Sequence, residues 1–223
     1  MEHKIVKLVF ICLVFYMPLN AQYFIDSPAP MAMLQGDYLV SMRVGPEGSL
    51  LVRLSSVPFD GFAIGISYGG EKILGYEDPL FYKNPGIEVR LLVLEEASLV
   101  PRVILGFDSQ GYDWDSKKEE FRVKSKGIYG LLGKDIGIFQ VGVGVNYNTV
   151  DAETGFFGGT LLNLSSTFSI VGDYSLYPDE DDGDFLGLGA RINFEGVLLQ
   201  FTFRDMTGKK TDRALDLGYT GYF

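Results

Sequence analysis

Residues 139–148 read Phe-Gln-Val-Gly-Val-Gly-Val-Asn-Tyr-Asn, and the fold class turns on that run. Phe139, Val141, Val143, Val145 and Tyr147 are large and apolar, whereas Gln140, Gly142, Gly144, Asn146 and Asn148 are small or polar. A period of two puts the two sets on opposite faces of a strand; a helix would wind both around its circumference. The alternation recurs with Phe62, Ile64, Ile66 and Tyr68, and again with Leu186, Leu188, Ile192 and Phe194. It returns with Val197, Leu199, Phe201 and Phe203. Extended along the chain, it predicts about twelve strands: 36–44, 49–57, 62–70, 87–96, 101–109, 120–132, 136–148, 156–166, 168–177, 185–195, 197–205 and 213–223. Most are about 9–11 residues long, enough for a tilted strand to cross a bilayer.

The connections sort by length. In chain order the odd ones include long polar stretches at 71–86, 110–119, 149–155, 178–184 and 206–212. The even ones are short, as at 59–61, 133–135, around Phe168 and at 195–196, and 45–48 is a short odd connection. Short turns at one end and long loops at the other are the layout of transmembrane barrels. An even strand number then places both chain ends on the short-turn, periplasmic side. The expected fold is all-β: one antiparallel up-and-down barrel spanning 36–223.

Before it, residues 1–21 carry the parts of a secretory signal. Lys4 and Lys7 form a short basic region, 8–17 is apolar, and Pro18-Leu19-Asn20-Ala21 precedes Gln22. The apolar run is shorter than the ~20 residues of a spanning helix, and Pro18 ends it. Residues 22–35 are then expected to be a short periplasmic segment. Cleavage removes one acid (Glu2) and two bases, taking the formal charge from −10 to −11. An acidic chain of this kind has no basic face for nucleic acid. The single Cys (Cys12) and single His (His3) both fall in the signal. Without them, Ser-His and Cys-His nucleophiles, haem on His, zinc on Cys or His and disulfides are excluded. No cofactor, metal or enzymatic activity is expected; a carboxylate pair such as Asp108 with Asp173 is the one acid–base arrangement left to consider.

Which face of the strands is outside decides between a soluble and a lipid-embedded barrel. The polar face carries Arg43, Arg53, Glu88, Arg90, Arg102, Asp108, Arg122, Lys124, Lys126, Asp173, Arg191, Arg204 and Asp216. In a soluble barrel these would be solvated; in an outer-membrane barrel they point into the lumen and the apolar face meets outer-membrane lipid. The signal favours the second. So do aromatics near strand ends (Tyr38, Tyr68, Phe107, Tyr147, Phe185, Tyr219), which suit interfacial girdles. A last strand ending in Tyr219 and Phe223 looks like the signal read by the bacterial barrel-assembly machinery, with Gly221 in place of the usual large apolar residue.

Ser67-Tyr68-Gly69-Gly70, Asn84-Pro85-Gly86, Gly106-Phe107-Asp108-Ser109-Gln110-Gly111-Tyr112 and Lys124-Ser125-Lys126-Gly127 follow one another in that order. This succession resembles the small, poorly characterised barrels related to outer-membrane proteins of exopolysaccharide operons, best over 36–130. The resemblance implies fold, location and glycan traffic, and brings no catalytic residues.

Two readings of the inner charges stand side by side. A cation-lined channel would attract anionic solutes or acidic oligosaccharides. A salt-bridge network would instead fill the barrel and make it a non-conducting structural or interaction protein. Twelve strands lie between side-chain-filled and open barrels, so size does not choose. The acidic cluster Asp179, Glu180, Asp181, Asp182 and Asp184 reads as a solvated outer loop; Ala190, at the twelfth position from Asp179, breaks the calcium-loop pattern. Trp114 reads as a packing anchor or a sugar platform. Inner-face glycines (Gly142 with Gly144, Gly187 with Gly189) read as aids to curvature. N-terminal sequencing of protein from the outer-membrane fraction is expected to begin at Gln22; recovery with Met1, or in the soluble fraction without detergent, overturns this reading.

Overall fold

The computed structural model describes residues 22–115, 120–178, 184–208 and 211–223. Residues 1–21, read above as a signal, and Asp179, Glu180, Asp181 and Asp182 of the acidic cluster therefore lie outside the described residues. Twelve antiparallel strands form one barrel: β1 (Asp37–Val44), β2 (Leu50–Phe59), β3 (Phe62–Glu71), β4 (Gly86–Leu94), β5 (Arg102–Asp108) and β6 (Gly127–Ile136) make the first half. The second half is β7 (Phe139–Asn148), β8 (Glu153–Asn163), β9 (Phe168–Leu176), β10 (Asp184–Phe194), β11 (Val197–Arg204) and β12 (Asp212–Tyr222). Each strand pairs with its neighbour in sequence, and β12 pairs with β1 from Asp37–Tyr222 to Val44–Leu215. Closure leaves no sheet edge to be satisfied by solvent, the condition for a sheet in hydrocarbon.

Alternation sets the outer surface as expected. Leu105 (51% exposed), Val143 (61%) and Leu132 (47%) point outward with Ile64, Ile66, Ile170, Leu188 and Phe201. A contiguous apolar belt of this extent around a closed barrel needs an apolar solvent. Most connections segregate: one end of the barrel carries the turns at 60–61, 137–138, 164–167 and 195–196, the longer 95–101 and the outer ends of β1 and β12, and the other carries 72–85, 109–126, 177–183 and 205–211 with the shorter 45–49 and 149–152. At the turn end, Glu195 and Gly196 both have positive φ (48° and 85°) between the paired Phe194 and Val197, which is what a two-residue type I′ hairpin requires.

Three strands differ from the sequence expectation by three residues or more, one of them β7, expected from 136 and beginning at Phe139. The stretch 120–132 is not one strand: residues 120–123 pair with Tyr112–Asp115 as a separate hairpin, and the barrel strand runs from Gly127 to Ile136. The following turn is therefore Gly137-Ile138 rather than 133–135. β8 begins at Glu153 and ends at Asn163, three residues earlier than predicted.

The seam between β1 and β12 explains Gly221. Tyr38 lies opposite Gly221, and its ring stacks on Phe223 (5.7 Å between centroids, 16° between planes) and contacts Tyr219 at 6.1 Å. A Cβ on residue 221 would sit 2.5 Å from the Tyr38 hydroxyl, so the glycine is the floor on which the Tyr38 ring rests. Gly221→Leu is expected to lower the fraction of protein showing heat-modifiable gel mobility, and Tyr38→Ala in the same chain to restore part of it. Deleting Phe223 should impair assembly more than shortening a loop tip. Independent, additive losses from G221L and Y38A would refute the packing argument.

Candidate functional site: the barrel interior

The inner wall is divided into two levels. Toward the loop end it is ionic: Arg43, Arg53, Glu88, Asp108, Asp173 and Arg204 are buried inside, with Asp216 half-buried among them, whereas buried Arg90 stands opposite Ala63 and Arg191 opposite Ser169, nearer the turns. Toward the turn end it is apolar: Val57, Ala63, Ile104, Leu131, Leu161 and Val171 point inward. That second level runs against the expectation of a wholly polar inner face.

Residues 22–33 occupy this interior. The expectation of a periplasmic segment over 22–35 fails here: Phe24, Ile25, Met31 and Met33 are each at most 4% exposed. Met31 and Met33 pack on Val57, Ala63, Ile104 and Leu131, and Phe24, Ile25 and Ala29 pack on Leu161 and Val171. The segment folds as a tight loop, with the Ala29 N–H donating to the Gln22 carbonyl (2.9 Å) and the Phe24 N–H to the Ser27 carbonyl (2.9 Å). Inner-face glycines make its bed. A Cβ on Gly142 would stand 3.1 Å from both Phe24 and Pro30, one on Gly187 2.9 Å from Ile25, and side chains on Gly159 or Gly133 would overlap Phe24 and Pro30 respectively. These glycines serve close approach; Gly144 and Gly189 make room instead for Phe157 and Thr202 of the wall.

Polar groups of the loop and wall answer one another. Arg191 donates to the carbonyls of Tyr23 (2.7 Å) and Phe24 (2.8 Å), Arg90 to that of Gln22 (2.7 Å), Arg43 to that of Ile25 (2.7 Å) and Arg102 to that of Pro30 (2.5 Å). In the opposite sense, the N–H groups of Ile25, Asp26 and Ser27 all donate to one Asp173 oxygen at 3.1, 2.7 and 2.7 Å, and the Ser27 hydroxyl donates to the other at 2.7 Å. Three successive amides converging on one carboxylate form an anion nest. At the loop tip the Asp26 carboxylate is held by Arg43 (2.6 Å) and Arg204 (2.7 Å). Burial alone would raise the Asp26 carboxyl, but Arg204 and Arg43 outweigh it and hold the group below the ordinary carboxylate range.

From the loop end a second insertion meets the first. The chain leaves β5 through Asp108, whose carboxylate accepts the Gln110 N–H (2.9 Å), and turns inward at Gly111 into the 112–123 hairpin. Tyr112 accepts a hydrogen bond from Arg53 (2.7 Å) and lies under Arg43, while Asp113 pairs with Arg204 (2.9 Å). Trp114 is a packing anchor, edge-on to Phe121 with centroids 5.0 Å apart. Between the two insertions, Asp26, Asp173, Arg204 and Val123 border a cavity of about 10 Å³, room for a single water.

The predicted inner residues thus have distinct fates. Glu88 pairs with Arg90, and Asp216 with Arg43 (2.6 Å). Asp108 accepts from the Tyr23 hydroxyl (2.8 Å) and stands in register with Glu88, not with Asp173. Arg53 stacks over Tyr23 at 4.0 Å. Lys126 is buried, donating to Ser175 (2.7 Å). Arg122 and Lys124 are not on a barrel strand: Arg122 is exposed on the hairpin, tied to Asp205 and Asp212 (2.9 Å), and Lys124 pairs with Glu153 (2.9 Å) at the loop end. Sequence reasoning missed Tyr23, Asp26, Ser27, Tyr112 and Asp113. The signal was present: 22–33 is too apolar for a solvated leader, and alternation lapses into continuous runs at Val103-Ile104-Leu105, Leu131-Leu132, Leu161-Leu162 and Ile170-Val171, as in strands covered on both faces.

No protein-family model matches the chain, and no curated protein matches it. Among solved structures it is similar to the KdgM porin, at a TM-score of 0.58 and 9% identity, over 82% of this chain and 98% of that one. The NanC porin aligns with a TM-score of 0.48 and 10% identity, over 84% and 98%. Omp33, an outer membrane protein of Acinetobacter baumannii, aligns at 0.45 and 8%, over 86% and 100%. At 9% identity the KdgM likeness is one of fold.

Because its folded-state value is lowered, the Asp26 carboxylate contributes its full stability above the unfolded-state value and loses it as pH falls through the folded one. Asp26→Asn is therefore expected to cost about 3–5 kcal/mol at neutral pH, as for one partner removed from a buried ion pair. The difference from wild type should shrink on acidification. Denaturant unfolding in detergent measures both, and an unchanged midpoint at neutral pH refutes the assignment.

Proposed function

We propose that the protein is a porin-type barrel of the bacterial outer membrane, with periplasmic termini, whose basic inner wall suits anionic solutes or acidic oligosaccharides and whose passage is closed in this state. The observation that carries the reading is the asymmetry of the wall. Arg43, Arg53, Arg90, Arg102, Arg191, Arg204 and Lys126 face inward against Glu88, Asp108, Asp173 and Asp216, while the chain as a whole carries −10. An inward cationic excess on an acidic protein attracts anions into a low-dielectric passage. The aromatic strand ends and the Tyr38–Tyr219–Phe223 seam suit insertion by the barrel-assembly machinery into outer-membrane lipid. The sequence resemblance to exopolysaccharide-operon barrels supports a role in glycan traffic.

A second reading, a permanently filled structural barrel presenting its outer loops, is favoured by the pairing of Arg43, Arg90 and Arg204 with carboxylates. Planar-bilayer recording separates the two. The pore reading expects discrete current steps, infrequent at rest, with a reversal potential displaced toward the anion in a salt gradient. Replacing Arg53 and Arg191 by Gln should reduce that displacement by at least half while the barrel keeps its heat-modifiable mobility. A bilayer silent at every voltage, both for the whole chain and for a folded variant lacking residues 22–33, would establish the filled barrel instead.

A further inference from the structure

We propose that residues 22–33 are an internal ligand that can leave, and that the barrel interior is a binding site for a peptide loop with an acidic tip. The passage opens when the segment is out. The inference rests on the pore reading and goes beyond it by naming the occupant, its subsites and its exit.

The wall closes without this segment. β1 and β12 pair over eight residues, whereas 22–33 adds no strand to the barrel and its backbone reaches a wall turn through the Gly61 N–H on the Met33 carbonyl (2.9 Å). The wall is nonetheless shaped for it. Gly133, Gly142, Gly159 and Gly187 lie on four different strands, and each lacks a side chain where Phe24, Ile25 or Pro30 rests. Polar recognition is equally specific: the tip carboxylate of Asp26 enters the Arg43–Arg204 clamp, and the amides around it enclose Asp173. Such complementarity describes a ligand site.

The attachment permits exit. Among the described residues the segment is joined along the chain to the wall only through 34–36, where Leu34 and Gln35 are exposed and Gly36 has φ +90°. The 112–123 hairpin, by contrast, is tied to wall strands at both its ends. No Cys occurs from residue 22 onward, so no disulfide locks the segment in place. Twelve residues extend to roughly 40 Å, long enough to trail from the turn end. Departure bares the apolar band of Val57, Ala63, Ile104 and Leu131 along with the arginines, so the occupied state is the resting one.

Two variants and a peptide test this. Deleting 22–33 removes the occupant; Gly159→Leu keeps it and removes no charged group, but fills the Phe24 bed beside Asp173. Folding is read by heat-modifiable mobility and opening by planar-bilayer conductance. Both folded variants are expected to conduct at least tenfold more than the wild-type chain. A synthetic peptide of residues 22–33, added to the deletion variant, should restore closure, and the same peptide with Asp26→Ala should need at least tenfold more. If the deletion variant does not fold, Gly159→Leu decides. Wild type and variants conducting alike would leave the pore reading standing and overturn the internal ligand. Folded variants that stay silent would overturn both, and a peptide without effect on a conducting deletion variant would overturn the binding site.

Discussion

The structure depends on the exchange between the Gln22–Ala29 loop and the charges of the wall. A barrel interior that holds six inward arginines is costly, because each guanidinium has lost its water. Carboxylates answer only some of them. Arg191 is met by Gln200 and by the carbonyls of Tyr23 and Phe24, and Arg53 by aromatic rings. The loop supplies what side chains of the wall do not: carbonyls directed at arginines on one side of its turn and amides directed at Asp173 on the other. A tight turn separates backbone donors from acceptors in space, so a few residues can satisfy both signs of charge.

The same loop resolves the apolar half of the wall. Val57, Ile104, Leu131, Leu161 and Val171 face inward, where a water-filled barrel would place polar groups. Covered by Met31, Met33, Phe24 and Ala29, they become an ordinary close-packed core, and each buried CH₂ contributes about 0.8 kcal/mol. Glycines complete the fit. Removing side chains from Gly133 and Gly159 lets Pro30 and Phe24 reach the backbone of the wall. The barrel is therefore two-sided in chemistry: lipid outside, and inside a small protein core topped by an ionic layer.

That layer is also where the two insertions meet. Arg43 and Arg204 each touch the N-terminal loop through Asp26 and the 112–123 hairpin through Tyr112 or Asp113. Disturbing one insertion changes the partners available to the other. Coupling between the two ends of the barrel, if measured by a double-mutant cycle on Asp26 and Asp113, would run through these two guanidinium groups.

Local sequence was sufficient for the fold. Alternation in 139–148, 185–195 and 197–205, the loop segregation and the final aromatic strand specify an even, closed, lipid-facing barrel, because a pleated strand assigns faces by parity alone. It faltered at 120–132, where Arg122, Lys124 and Lys126 continue a charged pattern but the chain bends into a hairpin before β6 starts. Parity also placed Arg43, Arg53, Arg90, Arg191 and Arg204 inside. The unbroken apolar runs mark part of the inner wall as covered, but what parity could not tell was which segment stands opposite these arginines. That is a question of what crosses the barrel axis, and no spacing within a strand encodes it. Tyr23, Asp26 and Ser27 become site residues only because a connection of three residues swings their loop inward against Asp173 and Arg204, 148 and 178 positions from their loop partners in the chain. Strand identity follows from nearest neighbours; the occupant of the interior is decided by tertiary contact, where apolar burial and paired charge act together.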